Sequence, residues 1–261
     1  MNLILLEAGE PDASGHVSLR GPRATHLTSV LNVEPGREVR VGMIDGPHGV
    51  GTVTSVAGGV VCLRCLFAPT VPPRPAVDLL LALPRPKVLR RLWAQLAALG
   101  VGRIILTNAE RVERNYFDTH LLDPAGYRPL LVEGLQQARD TRLPIVSVHR
   151  QFRVLIEDEL DGLTDTTVRL MAEPGAAAPV AARLKMDTAN AADAARVLLA
   201  VGPEGGWNMF EQSLLADRGF HAVGMGPRTL RSDTACIALL ALVHGAIGTG
   251  GRVTLCSQSL W

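Results

Sequence analysis

Short apolar runs separated by glycine-rich turns fill the chain up to a proline-rich segment at 68–76. Runs such as HVSLR, EVRVGMID and TVTSVAGGVVCLRCLF have the length of β-strands. A helical pattern interrupts them in GPRATHLTSVL, where Pro22 suits the first helical position. Because prolines cannot continue a helix or a central strand, this segment predicts a boundary after a small β-barrel-like domain, residues 1–70.

After the prolines, apolar strands alternate with amphipathic helices. VDLLLAL is apolar nearly throughout, as in a buried parallel strand, and KVLRRLWAQLAALG has helical periodicity. RIILT, LPIVSV and TVRLM predict further strands, and YRPLLVEGLQQA predicts another helix. This order is typical of an α/β fold with a mostly parallel sheet, here over 76–250. The binding crevice should then lie beyond the carboxyl ends of the strands.

Composition favours a soluble cytoplasmic protein. The chain has 261 residues, of which 47% are hydrophobic, enough for a sizeable core. The N-terminus lacks the basic start of a signal peptide, and its apolar run breaks at Glu7. The most apolar stretch, 235–248, is too short to span a bilayer and carries His244, so it predicts a helix buried on most sides. We therefore expect no membrane association.

The four cysteines indicate no metal site. Cys62 and Cys65 form a CxxC pair in the middle of a predicted strand, whereas a thioredoxin-like pair would open a helix. A zinc site would need a second pair of ligands, which Cys236 and Cys256 do not supply because they are far apart in the chain and have no clustered histidines. Reduced, buried thiols are the expected state.

Charge is unevenly distributed along a chain whose net charge is only +1. Residues 76–153 contain twelve Lys/Arg and seven Asp/Glu, whereas 154–261 contain eight and twelve. The first of these segments could therefore attract a polyanion, although a solvated helix face would have the same composition.

Two glycine-proline loops follow predicted strands and are candidates for one site. GPEGGW (202–207) follows RVLLAV, and GMGPRTLRSDTA (224–235) follows FHAV. Their glycines let a ligand approach the main chain closely. Asn208 and Glu211 have the spacing of a capping box, which predicts the start of a helix, MFEQSLLADR, that ends at Gly219. The spacings of a P-loop, a dinucleotide fingerprint, a GxSxG elbow and an HExxH zinc motif are absent from the sequence. The residues alone indicate a small-molecule pocket and a polyanionic second substrate.

These paired motifs resemble those of the ribosomal RNA small subunit methyltransferase E family. ATHLTSVLNVEPG, LPRPKVLRRLWAQLAALGVGRIILTNAERV, EGLQQARDTRLP and MAEP are also similar to family segments, so the resemblance spans most of the chain. It implies a PUA-like N-terminal domain, a SPOUT-class domain with a trefoil knot, and a homodimer. It also implies S-adenosylmethionine-dependent methylation of N3 of a uridine in 16S rRNA. The last segment, 251–261, would be a C-terminal tail beyond the usual end of the family.

The resemblance also assigns residues to roles. The cofactor would be bound by Met171, Glu173, Val201, Gly202, Gly205, Gly206, Met225, Gly226, Leu230 and Thr234. Glu204 and Asp233 are candidate bases for the N3 proton, and Arg228 and Arg231 are candidates to stabilise the uridine anion. RNA would contact Arg20, Arg23, His26, Arg139 and Arg142. Simpler roles remain open: a loop anchor for Glu204, a helix cap for Asp233 and phosphate contacts for the arginines.

The sequence departs from the family pattern at several positions. Asn32 stands where an arginine is common, Ala138 where serine or cysteine is common, and SDTA replaces TETA. LPRPKV also lacks the usual lysine-glycine entry to its helix. Loss of the arginine could shift the RNA target. A catalytically silent RNA-binding relative and a methyltransferase with another RNA site are therefore the alternatives, and a nicotinamide-dependent oxidoreductase is a more distant one.

Overall fold

A computed structural model of the chain describes residues 3–188 and 196–248. The chain divides into two compact units. The first unit comprises Met1–Pro75, Arg90–Gly100 and His120–Pro144, and the second comprises Ala76–Leu89, Val101–Thr119 and Ile145–Trp261. Cys256 and the tail lie outside the described residues.

A five-stranded mixed sheet forms the body of the first unit. Its strands are β1 (Ile4–Leu6), β2 (His16–Leu19), β3 (Glu38–Met43), β4 (His48–Ala57) and β5 (Val60–Phe67), in the order β1-β3-β4-β5-β2. Only β1 and β3 pair in parallel. Gly58 and Gly59 turn β4 into β5 with φ angles of 57° and 74°, which suit a tight hairpin turn. The predicted strands are confirmed, whereas β1, a short run of three residues, was not predicted.

One apolar face of this sheet is closed by α1 (Gly21–Ser29), which begins with Pro22 in its first turn, as predicted. The side chains of β2 alternate between exposed and buried, and Leu19, Leu27 and Leu63 are completely buried in the shared core. Alternation with period two places one set of side chains against the helix and the other in solvent. Cys65 lies on the buried face, three positions from the half-buried Cys62.

Segments distant in sequence complete the first unit. The helix α3 (Pro124–Ala138) packs so closely on α2 (Pro86–Ala98) that a Cβ at Gly134 would overlap the carbonyl group of Ala94. Thr141, which is fully buried, donates its hydroxyl to the carbonyl oxygen of Gly46 at 2.7 Å. The amide of Asp45 in turn donates to the carbonyl oxygen of Thr141 at 2.7 Å. The turn between β3 and β4 is therefore fixed by residues almost a hundred positions later.

The second unit is built on a six-stranded sheet that is parallel throughout. Its strands are β6 (Val77–Ala82), β7 (Val101–Thr107), β8 (Ile145–His149), β9 (Val168–Ala172), β10 (Val197–Val201) and β11 (Phe220–Val223). The order is β11-β9-β10-β6-β7-β8. Every residue of β6 and β10 is buried, as expected for central strands covered on both faces. The predicted α/β class and parallel sheet are confirmed.

The remaining helices are α4 (Phe152–Val154), α5 (Leu160–Leu163), α6 (Val180–Thr188), α7 (Met209–Asp217) and α8 (Ser232–Gly248). A π-helical turn, Leu155–Glu159, connects α4 to α5. The helices within 152–163 and α6 were not predicted from the sequence pattern. Short 3₁₀ turns lie at Arg114–Asp118 and His120–Leu122. None of the helices within 3–188 and 196–248 has the length and hydropathy required to cross a bilayer.

The prediction that the most apolar helix is buried on most sides is wrong for the single chain. α8 buries one face, formed by Ser232, Cys236, Leu239, Leu240 and Val243. On the opposite face Leu242 is 45% exposed. The high hydropathy of this helix comes partly from alanines and glycines, whose small side chains can remain exposed at little cost.

The three described cysteines differ in thiol chemistry. Burial raises the pKa of Cys236 to about 12 and also raises the pKa of Cys65. Hydrogen bonds from the hydroxyls of Ser55 and Ser18 lower the pKa of Cys62. Since the thiolate is the reactive form, Cys62 should be the most nucleophilic of the three.

Alkylation should therefore distinguish the cysteines in the folded protein. At pH 8, iodoacetamide should modify Cys62 first, whereas Cys65 and Cys236 should react only after unfolding, because burial disfavours their thiolates. Peptide mass spectrometry in a Cys256→Ser background measures each site. Cys62→Ser should remove the rapid reaction, and rapid modification of Cys236 in folded protein would contradict this assignment.

Candidate active site

Three loops leave the carboxyl edge of the parallel sheet next to one another. β9 lies between β10 and β11, so the loop after Ala172 lies between the loops that begin with Gly202 and Gly224. Parallel strands end at the same edge, and ligands of open α/β sheets bind at that edge. The two glycine-proline loops therefore share an edge with a third loop that carries Glu173 and Pro174.

A pocket opens between the loops after β9 and β11. It is lined by Ala172, Glu173, Pro174, Val223, Gly224, Met225, Gly226, Arg228, Leu230, Ala235 and Leu239. Five predicted site residues thus come together here: Glu173, Met225, Gly226, Arg228 and Leu230. A Cβ at Gly224 would lie 2.6 Å from the carbonyl oxygen of Ala176, and Gly226 has a φ of 108°. Both positions require glycine, so at these two points the lining of the pocket is main chain.

The GPEGGW loop is a tight turn beside this pocket and does not contribute to its lining. The amide of Gly206 donates to the carbonyl oxygen of Pro203 at 2.8 Å, and Gly206 has a φ of 75°. A Cβ at Gly202 would lie 3.1 Å from the indole nitrogen of Trp207. Trp207 is buried and its ring packs against Phe152 with a centroid separation of 5.3 Å. The loop therefore folds over its own tryptophan.

The other predicted cofactor residues lie on the elements that carry these loops. Met171 and Val201 are buried in β9 and β10, where Met171 pairs with Ala200. Thr234 is exposed in the first turn of α8. These three residues flank the carboxyl edge without lining the described pocket.

The predicted capping box is present at the start of α7. The side chain of Asn208 accepts the amide of Glu211 at 2.8 Å, and Glu211 accepts the amide of Asn208 at 2.8 Å. Gly219 follows α7 with a φ of 79°, as predicted for a residue that ends a helix. Glu211 is only 3% exposed, and its other oxygen accepts the amide of Glu110 at 2.7 Å. No local sequence pattern predicts this last contact, because 101 residues separate the partners.

The candidate acids and bases have different surroundings. Glu204 forms an ion pair with Arg85 at 3.6 Å, and both side chains are largely exposed. Asp233 accepts the amide of Thr234 at 2.9 Å in the first turn of α8. Glu173 accepts a hydrogen bond from Gln212 at 3.1 Å, and desolvation raises the pKa of Glu173. Arg228 and Arg231 are exposed, and only Arg228 lines the pocket.

The predicted RNA-contacting residues lie in the first unit. Arg20 and Arg139 are exposed, and His26 is half-buried. Arg23 binds Glu10 through both guanidinium nitrogens, with one distance of 2.9 Å, and this pairing lowers the pKa of Glu10. Arg142 donates to the carbonyl oxygen of Asp45 at 3.0 Å. The structure thus leaves Arg20 and Arg139 accessible, whereas Arg23 and Arg142 make contacts within the unit.

The backbone conformation explains the asparagine at position 32, one of the departures from the family pattern. Its φ is 46°, in the left-handed region that asparagine tolerates better than most residues. Ala138 is the exposed last residue of α3, and no contact in the structure explains it. Within the described residues, no group of three or more metal-ligating side chains is found.

Removal of the cap should destabilise the α7 region. Asn208→Ala should lower the free energy of unfolding by about 1 kcal/mol, because the first turn loses an acceptor for its amide. Asn208→Asp is the matched control, since a carboxylate can accept the same hydrogen bond. Thermal unfolding followed by circular dichroism compares them, and an alanine variant as stable as wild type would contradict the capping role.

Comparison with known proteins agrees with this arrangement. Residues 72–244 match the RNA methyltransferase domain family. The chain is 30% identical over 260 residues to ribosomal RNA small subunit methyltransferase E of Treponema pallidum, covering 93% of this chain and 90% of that protein. The Mycobacterium bovis protein of the same name is 29% identical over 245 residues, with coverage of 91% and 88%.

Solved structures share the fold. Ribosomal RNA small subunit methyltransferase E from Neisseria gonorrhoeae, bound to S-adenosyl methionine, has a TM-score of 0.70 and 20% identity. The match covers 94% of this chain and 97% of that one. A putative methyltransferase from Legionella pneumophila, in complex with the same cofactor, has the same score, identity and coverage. The chain belongs to the ribosomal RNA small subunit methyltransferase E family.

Proposed function

We propose that this protein methylates N3 of a uridine in 16S rRNA of the small ribosomal subunit, using S-adenosylmethionine. The observation that carries the proposal is the pocket at the carboxyl edge of the sheet, which is formed by the MAEP and GMGPRTLRSDTA segments. Relatives of the same fold have been solved with this cofactor. Family membership supplies the rRNA substrate, and the uridine and its N3 atom rest on the motif resemblance.

The pocket suits a ligand with an apolar and a polar part. Met225, Leu230 and Leu239 offer apolar surface, whereas Glu173 and the loop amides offer polar groups. Gly224 has no room for a side chain beside Ala176, and the positive φ of Gly226 disfavours one, so both positions offer only main chain to a ligand. The residues that line the pocket would hold the cofactor together with others at the same edge of the sheet: Val201, Gly202, Gly205 and Gly206. Met171 and Thr234 would support them from β9 and α8.

The protein has two chemical tasks. The bound cofactor supplies a methyl group on a sulfonium, which is already a good leaving group, so the chain mainly has to position the two reactants. Uridine N3 carries a proton at neutral pH, and the chain must accept it or stabilise the anion that remains. Glu204 and Asp233 are the carboxylates available for the proton. Arg228 lines the pocket and, with Arg231, offers positive charge for the uridine oxygens.

The observed contacts favour different roles for the two carboxylates. Asp233 is occupied with the first turn of α8, which supports a structural part in holding the loop. Glu204 is exposed and, among the residues that the structure describes, forms an ion pair with Arg85 at 3.6 Å, so it can exchange partners when substrate binds. We infer that Glu204 is the better candidate base.

The remaining parts of the proposal concern assembly and RNA. A homodimer would cover the exposed face of α8 around Leu242, and the trefoil knot would place α8 against the cofactor loops. Residues 1–70 would act as a PUA-like RNA-binding domain and 76–250 as the SPOUT methyltransferase domain. RNA phosphates would contact Arg20, Arg139 and His26. The same surface would be held in place by the contacts of Arg23 and Arg142 within the first unit. The protein would act in the cytoplasm.

A deletion strain gives the decisive test. Nucleoside mass spectrometry of its 16S rRNA should show the loss of 3-methyluridine, and purified protein with labelled cofactor should restore it on isolated small subunits. Loss of a different nucleoside would identify another RNA site. If the protein binds rRNA but takes up no S-adenosylmethionine, it is a silent relative and the proposal fails.

Arg231 provides a test of anion stabilisation. Arg231→Lys should reduce kcat about tenfold or more while the Kd for S-adenosylmethionine stays near wild type, because lysine keeps the charge but loses the planar set of donors. Steady-state kinetics and calorimetry separate the two effects. Arg153→Lys, an exposed arginine paired with Glu157, is the control. Equal losses in kcat and cofactor affinity would indicate a structural role.

Gly202 provides a test of the cofactor loop. Gly202→Val should abolish cofactor binding, since even a Cβ would lie 3.1 Å from Trp207 and a larger group would displace the loop. Gly162→Val is the matched control, because no atom lies within 4 Å of a Cβ built there. Isothermal titration calorimetry measures both. Normal affinity in Gly202→Val would remove this loop from the cofactor site.

A further inference from the structure

We propose that Arg111 is a positioning residue that holds the GPEGG loop (202–206) in the conformation needed to bind the cofactor. The inference rests on the proposed function of that loop. Arg111 was absent from the residues selected from the sequence, because nothing in the local pattern of NAERVE distinguishes it from a solvated arginine.

The contact joins the loops of two strands that are not neighbours. Arg111 follows β7 and the GPEGG loop follows β10, with β6 between the two strands. The Nη1 atom of Arg111 donates to the carbonyl oxygen of Gly205 and, at 3.5 Å, to that of Gly206. One guanidinium nitrogen therefore holds two consecutive peptide groups of the loop.

Packing reinforces the hydrogen bonds. A Cβ at Gly205 would lie 2.8 Å from the Cδ of Arg111, so the arginine stem occupies the space that a side chain would need. Gly206 has a φ of 75°, which lets the turn present both carbonyls to the same side. Gly205 and Gly206 thus form the binding site for the Arg111 side chain. This contact is a second reason for glycine at these positions, besides close approach of a ligand.

The direction of the carbonyls determines the direction of the loop amides. In a planar trans peptide the C=O and the following N–H point in opposite directions. The carbonyl of Gly205 faces Arg111, and the amide of Gly206 accordingly points back to the carbonyl oxygen of Pro203 at 2.8 Å. The carbonyl of Gly206 also faces Arg111, so by the same geometry the amide of Trp207 points away from Arg111. Arg111 therefore fixes the orientation of the Gly205–Gly206 and Gly206–Trp207 peptide groups.

A second contact secures the other end of the loop. The amide of Glu110 donates to Glu211 at 2.7 Å, and Glu211 is buried within the capping box that follows GPEGGW. Residues 110 and 111 thus hold both the turn and the helix start after it.

Cofactor affinity of Arg111 variants tests the inference. Arg111→Ala should raise the Kd for S-adenosylmethionine about tenfold, the equivalent of about 1.4 kcal/mol, and Arg111→Lys should have a smaller effect because a point charge can reach only part of the contact. Arg114→Ala, an exposed arginine three residues later, should bind like wild type. Calorimetry gives the Kd, and thermal unfolding reports whether each variant is folded.

Two further measurements exclude a general loss of structure. Millimolar methylguanidinium should restore cofactor affinity in Arg111→Ala, since it can occupy the vacated position, and should leave Arg114→Ala unchanged. Gly205→Ala, which displaces the arginine stem, should weaken binding non-additively with Arg111→Ala, because both remove one contact. If Arg111→Ala does not fold, the lysine variant and Gly205→Ala carry the comparison.

The outcomes separate this inference from the proposed function. If wild type binds the cofactor and Arg111→Ala binds it equally well, or if the losses in the double variant are additive, the positioning role is overturned while the function stands. If wild type itself binds no S-adenosylmethionine, the proposed function fails and the inference fails with it.

Discussion

The parallel pairing of β6, β9, β10 and β11 is the constraint on which the candidate site depends. Each of these strands ends at the same sheet edge, so the loops that follow them are brought together whatever their separation in sequence. The pairing is stabilised by burial, since every side chain of β6 and β10 is removed from water. A slip of one strand would move its loop along the edge and separate the residues of the pocket.

A buried carboxylate lies at each end of this sheet, Glu211 at the carboxyl edge and Asp78 at the amino end, and the two make different contacts. At the carboxyl edge, the Glu211 carboxylate accepts two backbone amides, those of Glu110 and Asn208, and so joins two loops. At the amino end, Asp78 of β6 accepts the hydroxyl of Thr164 at 2.9 Å and faces Arg196 at 3.6 Å. Desolvation nevertheless raises the pKa of Asp78, so ionisation of this group opposes folding as pH rises through that raised value.

Local patterns predicted the elements and turns well, and long-range contacts poorly. The strand character of VDLLLAL, the capping box at Asn208 and the helix end at Gly219 follow from residues a few positions apart, and the structure confirms them. The contacts of Arg111 with Gly205 and of Glu110 with Glu211 depend on strand order, which no local pattern contains. The burial of α8 was predicted incorrectly for a related reason. Hydropathy shows that a helix can be buried, but the fold determines which of its faces is packed against other elements.

The hydrogen bonds of Thr141 with Asp45 and Gly46 limit where the chain can be cut without loss of native contacts. Cleavage within the prolines at 68–76 would leave the buried Thr141 on one fragment and its partners, Asp45 and Gly46, on the other. The two fragments should then regain these contacts only when mixed, as in complementation of a split protein. Residues on both sides of the proline segment thus contribute to the first unit.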